Sequence, residues 1–190
     1  MPNFVGLDIE TTGLEPDQGH RLIQIGLYFQ ENGAKLTRDI LPIGTMTIDP
    51  EAMAVNGFTV ERIQQGTPND EADAEIAAWL RGKGLETDSL VAVGFNVGWF
   101  DQHGFLKREL PETCKFFGRR SVDLTGITYL ISEITGKSRE VVKTETRDKV
   151  AALLGTTAQW HDAGYDAHAA IVTFEVMQDL LREALIAEPA

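Results

Sequence analysis

The stretch Phe4-Val5-Gly6-Leu7-Asp8-Ile9-Glu10 decides how this chain is read. Phe4 to Ile9 is a short apolar run with a carboxylate near its end, the pattern of a buried strand. Asp8 and Glu10 are two residues apart, so in a strand they share one face. Two carboxylates on one face of a buried strand repel each other and lose hydration, and burying even one unpaired charge is costly. A divalent cation held between them removes both penalties. The alternative at this point is that the strand ends here and water solvates both groups.

Downstream, Gly13, Pro16, Asp17 and Gly19 mark residues 11–20 as a turn-rich loop. Residues 21–30 (RLIQIGLYFQ) read as a second strand and residues 35–43 as a third, joined as a hairpin by the Asn32-Gly33 turn. Asp49-Pro50-Glu51 starts a helix, with Asp as N-cap and Pro in the first position, and Asn56-Gly57 ends it. Thr59 caps a short helix through Gln65, and residues 70–81 put Ala72, Ile76 and Leu80 on one helical face. Residues 90–95 (LVAVGF) read as a strand buried on both sides. Residues 100–110 read as a helix ended by Pro111. A short strand at 121–124 follows, then helical patterns at 126–134 and 145–154. In the last helix Ala170, Phe174, Met177, Leu181 and Ala184 form an apolar stripe, and Asp166, four residues before Ala170, faces the same way. Three early strands, then helices alternating with two later strands, predict a mixed five-stranded α/β sheet.

The length of 190 residues suits a single domain with a core that needs no staples. A content of 43% apolar and 24% charged residues excludes disordered and collagen-like classes. The one cysteine, Cys114, cannot form an internal disulfide, which excludes a disulfide scaffold and points to a reducing, cytoplasmic setting. No apolar run approaches the ~18 residues needed to cross a bilayer. Met1-Pro2-Asn3-Phe4 lacks a signal-peptide pattern, so neither a membrane nor export is expected. The net charge of −12 argues against tight, non-specific binding to nucleic acid. The charge is uneven, however. Residues 107–149 carry ten basic and seven acidic side chains, and the rest of the chain is strongly acidic. That segment is either a solvated helical surface or a basic rim able to steer an anionic strand, with Arg119 and Arg120 as candidates.

Two more carboxylates occupy sensitive places. Asp101 follows the apolar run 90–95 and opens a helix, and Asp166 faces inward near the start of the last helix. Taken singly, each is explained as a first-turn carboxylate favoured by the helix dipole. Together with Asp8 and Glu10 they make four carboxylates, each at a strand end or helix start, where helices packed on a sheet converge on one rim. Such an oxygen-rich site suits magnesium or manganese rather than zinc. His161, five residues before Asp166, is a loop histidine able to act as a general base. His168 and His103 are each two residues past a carboxylate and therefore off its face, and His20 reads as structural.

These residues are similar to the DEDD exonuclease superfamily in its histidine-bearing, DnaQ-like branch (DEDDh). They resemble the exonuclease domains of DNA polymerase III proofreading subunits. Three motifs carry the resemblance: Leu7-Asp8-Ile9-Glu10-Thr11-Thr12-Gly13-Leu14, Gly94-Phe95-Asn96-Val97-Gly98-Trp99-Phe100-Asp101, and His161-Asp162-Ala163-Gly164-Tyr165-Asp166-Ala167. The segments 19–26 and 49–58 add to it, so it spans about residues 4–185 of one exonuclease domain, 1–190. It implies a ribonuclease-H-like fold with three antiparallel and two parallel strands. The implied activity is 3′-to-5′ release of nucleoside 5′-monophosphates from single-stranded nucleic acid, DNA ahead of RNA. The implied cofactors are two Mg²⁺ or Mn²⁺ ions held by Asp8, Glu10, Asp101 and Asp166, with His161 as general base. Thr11, Thr12, Leu14 and Asn96 would contact the terminal nucleotide, and Phe58 would either pack against its base or belong to the core. Single-stranded 3′ ends are the implied partners. A polymerase is a further partner class that the resemblance allows, although a chain ending soon after the last helix leads us to expect a free-standing enzyme or one recruited by its own surface. Phe95 stands where many members have histidine. Two other readings stay in view: a non-catalytic nuclease-like binding module, and an aspartate-nucleophile phosphatase, which Asp8-Ile9-Glu10-Thr11 matches only in part.

Overall fold

The structure, a computed structural model, describes residues 3–155 and 161–186. Its centre is β1 (Asn3–Thr11), which pairs antiparallel with β2 (Leu22–Phe29) on one side and parallel with the later strand β5 (Leu90–Gly94) on the other. β3 (Lys35–Leu41) continues the antiparallel side, and β6 (Phe117–Asp123) the parallel side. The sheet has six strands where the sequence predicts five. The sixth, β4 (Thr67–Pro68), lies parallel to Ile40-Leu41 at the outer edge, giving the order β4-β3-β2-β1-β5-β6. Two residues including a proline carry no periodicity, and proline suits an edge strand because it has no N–H to donate.

The helix signals at 49–65 act as predicted. Asp49 caps α1 (Pro50–Asn56) by accepting from the Glu51 N–H at 2.9 Å, and Thr59 caps α2 (Val60–Gln64) by accepting from the Arg62 N–H at 3.2 Å. α3 (Asn69–Gly82) buries Ala72, Ile76 and Leu80 as the spacing requires. The predicted helix 100–110 is different in kind. Residues Gly98–Leu106 form a widened π-helical segment in which the Gln102 N–H reaches back five residues to the Val97 carbonyl at 2.9 Å. α4 (Lys107–Glu109) follows, and Pro111 opens the next turn, α5 (Pro111–Cys114). α6 (Leu124–Thr135) and α7 (Arg139–Leu154) begin earlier than their apolar periodicity shows, because Asp123 and Ser138 cap them. α8 (Ala163–Ile186) is the long final helix.

Strand alternation sorts two cores. Val5, Leu7 and Ile9 turn to one face, where they meet Ile76 and Leu80 of α3 and Phe105 and Leu106 of the π-helical segment. On the opposite face Phe4 and Tyr28 pack with α6, α7 and α8 through Leu124, Val142, Ile171 and Phe174. Gly6, Asp8 and Glu10 share this second face by the two-residue period. No helix among the described residues is long and apolar enough to cross a membrane.

Candidate active site

α8 approaches the sheet unusually closely, and two glycines permit it. A β-carbon on Gly6 of β1 would stand 1.9 Å from the Ala167 carbonyl oxygen, and one on Gly26 of β2 the same distance from that of Ala163. Gln24, fully buried on the same face of β2, fastens the start of α8. Its Oε1 accepts from the Ala163 N–H at 2.7 Å and its Nε2 donates to Asp39 at 2.7 Å. Asp162 caps the first turn by accepting from the Tyr165 N–H at 3.1 Å. The result sets Asp166 over the end of β1, beside Asp8 and Glu10.

There Glu10, His161 and Asp166 each offer a ligand atom, all within 4.8 Å of one another. The Asp166 carboxylate accepts from the His161 backbone N–H at 2.8 Å, which closes the loop that presents the histidine. His161 has φ 67°, a left-handed backbone, and its side chain is exposed. Residues 156–160, just before His161, lie outside the described residues. Asp8 and Asp101 interact with this group. Burial, then Asp101, Asp166 and Glu10, push the Asp8 carboxyl well above the ordinary aspartate range. Asp101, 4% exposed on the π-helical segment, is also raised by burial, against hydrogen bonds from its own backbone and that of Ile9. Glu10 is pushed up to about 7, first by burial and then by Asp166, while a hydrogen bond from the Asn56 side chain pulls it down. Asp166 is raised mainly by burial. Four carboxyl groups that resist ionising side by side form a site short of positive charge, the condition a cation relieves.

The five predicted chemical residues are therefore brought together. The predicted nucleotide contacts are not all alike. Leu14 is 70% exposed beyond the end of β1, and Asn96, at φ 54°, is exposed and lines the cavity at the carboxylates. Thr11 donates its hydroxyl to the Gly13 carbonyl at 2.8 Å. Thr12 is fully buried, donating to the Thr47 carbonyl at 2.6 Å and accepting from the Arg21 N–H at 2.9 Å. Phe58 is 4% exposed, packed with Ile23 and Ile63, and the Arg62 guanidinium lies 3.7 Å from its ring centre. His168 stacks on Tyr28 at 4.0 Å, and His20 accepts from the Glu15 N–H at 3.0 Å.

Sequence reading missed three supporting residues: Gln24, Asn56 and Asp162. Gln24 was hidden inside an apolar strand. Asn56, which also donates to the Thr11 carbonyl at 3.0 Å, was visible only as a helix end. Asp162 had a legible N-cap position before α8, but the repulsion it adds at Asp8, Glu10 and Asp166 depends on the fold.

A mixed sheet with carboxylates gathered at the end of its central strand defines the class, a nuclease-type α/β domain of the ribonuclease-H-like, DnaQ-like fold. Residues 5–174 match the family described as Exonuclease, and the chain belongs to that family. Among solved structures, exonuclease I from Methylocaldum szegediense superposes with a TM-score of 0.70 at 18% identity over 97% of this chain and 42% of that one. Cell-death related nuclease 4 (CRN-4) gives 0.70 at 18% identity, over 95% and 64%. E. coli exonuclease I in complex with a 5cy-dT13 oligonucleotide gives 0.69 at 15%, over 97% and 42%. The chain thus spans less than two thirds of the length of these structures. A search of curated proteins finds no sequence match.

Proposed function

We propose that the chain is a 3′-to-5′ exonuclease of the DEDDh type, releasing nucleoside 5′-monophosphates from single-stranded nucleic acid, DNA ahead of RNA. One observation carries this reading: Glu10, His161 and Asp166 converge within 4.8 Å, with Asp8 and Asp101 electrostatically tied to them. The donor set fits two hard divalent ions, Mg²⁺ or Mn²⁺, because it is almost all oxygen. Asp8 would be shared by both ions, Glu10 and Asp166 would hold one, and Asp101 the other. Bound there, such ions supply charge neutralisation and Lewis acidity for phosphodiester hydrolysis.

The chain's own residues do the rest. His161, exposed on its loop and within reach of the same point as Glu10 and Asp166, takes the proton of the attacking water. The Asp166 carboxylate holds the His161 backbone and so orients that base. Leu14 offers an exposed apolar surface on which the terminal base can pack, and Asn96 offers an amide to the sugar-phosphate. Thr11, Thr12 and Phe58 would act from beneath, holding the loop that carries Leu14. The single-stranded DNA bound by E. coli exonuclease I, which shares the fold, supports a single-stranded substrate.

The test uses 5′-labelled single-stranded DNA and RNA of one sequence, with magnesium, manganese or chelator, beside Asp8→Asn. A metal-dependent ladder shortening from the 3′ end, absent in the variant, is expected. No shortening of either strand by a folded, metal-binding protein overturns the reading in favour of a binding module.

A further inference from the structure

The cavity at the carboxylates, about 800 Å³, is far larger than a pair of ions and extends away from them toward α6 and α7. Arg139, Lys143 and Arg147 of α7 line it. They are four residues apart, so they form one stripe along the helix, with about 6 Å between neighbours. That spacing is close to the separation of consecutive phosphates on a nucleic-acid strand. Glu140 shares the wall and leaves it net positive.

The cationic heads are lightly held. Lys143 pairs with Glu140 at 3.1 Å and Arg147 with Asp148 at 3.8 Å, both at the surface. Exposed pairs of this kind contribute little and yield to a better anion. Arg139 donates to the Tyr129 hydroxyl, and its guanidinium lies 4.6 Å from the ring centre. Tyr129 and Phe95 are both about half exposed and open into the same cavity. Thr146, also lining it, is 4% exposed, and its hydroxyl has no hydrogen-bond partner among the described residues. A cationic track with interleaved aromatic faces is the composition of a groove for single strands. Arg119 and Arg120, on β6, do not line the cavity.

We propose that Arg139, Lys143 and Arg147 bind the phosphates upstream of the nucleotide being removed, with Tyr129 stacking against one of the bases. α7 thereby positions the strand and selects a polymer over a small diester. This rests on the exonuclease reading of the carboxylate site.

The experiment measures fluorescence anisotropy of a labelled oligothymidylate, with calcium as the divalent ion, across a salt series. The variant carrying Arg139→Gln, Lys143→Gln and Arg147→Gln should bind at least about tenfold more weakly, and its salt slope should fall by about 2. A control with the same charge change outside the cavity, Arg81→Gln, Lys115→Gln and Arg182→Gln, should bind as the unsubstituted protein does. In magnesium the α7 variant should show a raised KM for the oligomer. Its kcat and KM for the p-nitrophenyl ester of thymidine 5′-monophosphate should be unchanged. Three outcomes overturn the proposal: equal weakening in both variants, unchanged binding in the α7 variant, or no binding by the unsubstituted protein. Oligomer binding that depends on α7 without hydrolysis of either substrate leaves the strand-binding wall standing and removes the exonuclease reading. Ester hydrolysis with no dependence of oligomer binding on α7 does the reverse.

Discussion

Gly26 lies directly beneath Ala163: a β-carbon on the glycine would stand 1.9 Å from the alanine carbonyl oxygen. The contact sets the height of α8 above the sheet, and with it the position of Asp166. Gly26→Ala should therefore lift the start of α8, lowering stability by about 1–3 kcal/mol. It should also weaken manganese binding more than a stability loss alone explains. Thermal melts with and without Mn²⁺ check this. A variant that melts lower yet gains as much from the ion as the unsubstituted protein would separate packing from site geometry. Gly6→Ala, against Ala167, should behave alike.

The crowded carboxylates make stability depend on pH. Glu10 titrates near 7 in the ion-free protein, above its usual value of 4.5, and Asp8, Asp101 and Asp166 are raised too. A raised carboxyl pKa means the folded state holds more protons than the unfolded one, so stability falls as pH rises. For Glu10 the loss runs between about pH 4.5 and 7. Chelated protein should melt lower at pH 8 than at pH 5.5. Mg²⁺ or Mn²⁺ should raise the melting temperature more at pH 8, since binding requires the ionised groups. An ion effect independent of pH would contradict this.

Asn56 should tune the site without touching an ion. Its side chain hydrogen-bonds Glu10, the Thr11 carbonyl and the Phe58 N–H. In Asn56→Ala, Glu10 loses a hydrogen bond that favours its charged form, and manganese affinity should drop roughly 10–100-fold, as for other groups that orient ligands. Calorimetric titration with Mn²⁺ measures it, and Asn56→Asp should do worse by adding a further negative charge.

Arg21 predicts the opposite split. Its guanidinium makes a two-pronged pair with Glu109 and donates to the Ile43 and Thr45 carbonyls at 3.1 and 3.0 Å. Glu109 is only 8% exposed and also accepts from Asn69 at 3.0 Å. Arg21→Met strands that charge and should cost about 3 kcal/mol. Metal affinity, read in the same titration, should stay within twofold.

Much of the site was legible because its signals are local. Asp8 and Glu10 share a face by strand alternation, and Asp101 and Asp166 each mark the start of a helical segment. Thr59 and Asp49 announced their helices through capping chemistry that needs no partner beyond a few residues. The π-helical widening at Gly98–Leu106 was not legible, since apolar spacing does not distinguish a reach of four residues from five. The edge strand Thr67–Pro68 depends wholly on Ile40 and Leu41 being alongside it.

The sequence by itself marked five of the six strands, most of the helices, and the candidate carboxylates and histidine. The strands, helices and carboxylates follow from short-range periodicity, capping or charge cost, and His161 from its place five residues before Asp166 together with the family resemblance. Only the tertiary structure decided which basic residues line the cavity that holds the carboxylates: Arg139, Lys143 and Arg147 do, and Arg119 and Arg120 do not. It also decided how closely Asp166 approaches Asp8, through Gly6 and Gly26 lying under α8. Both depend on where one helix rests on a sheet built from distant segments, which no local pattern encodes.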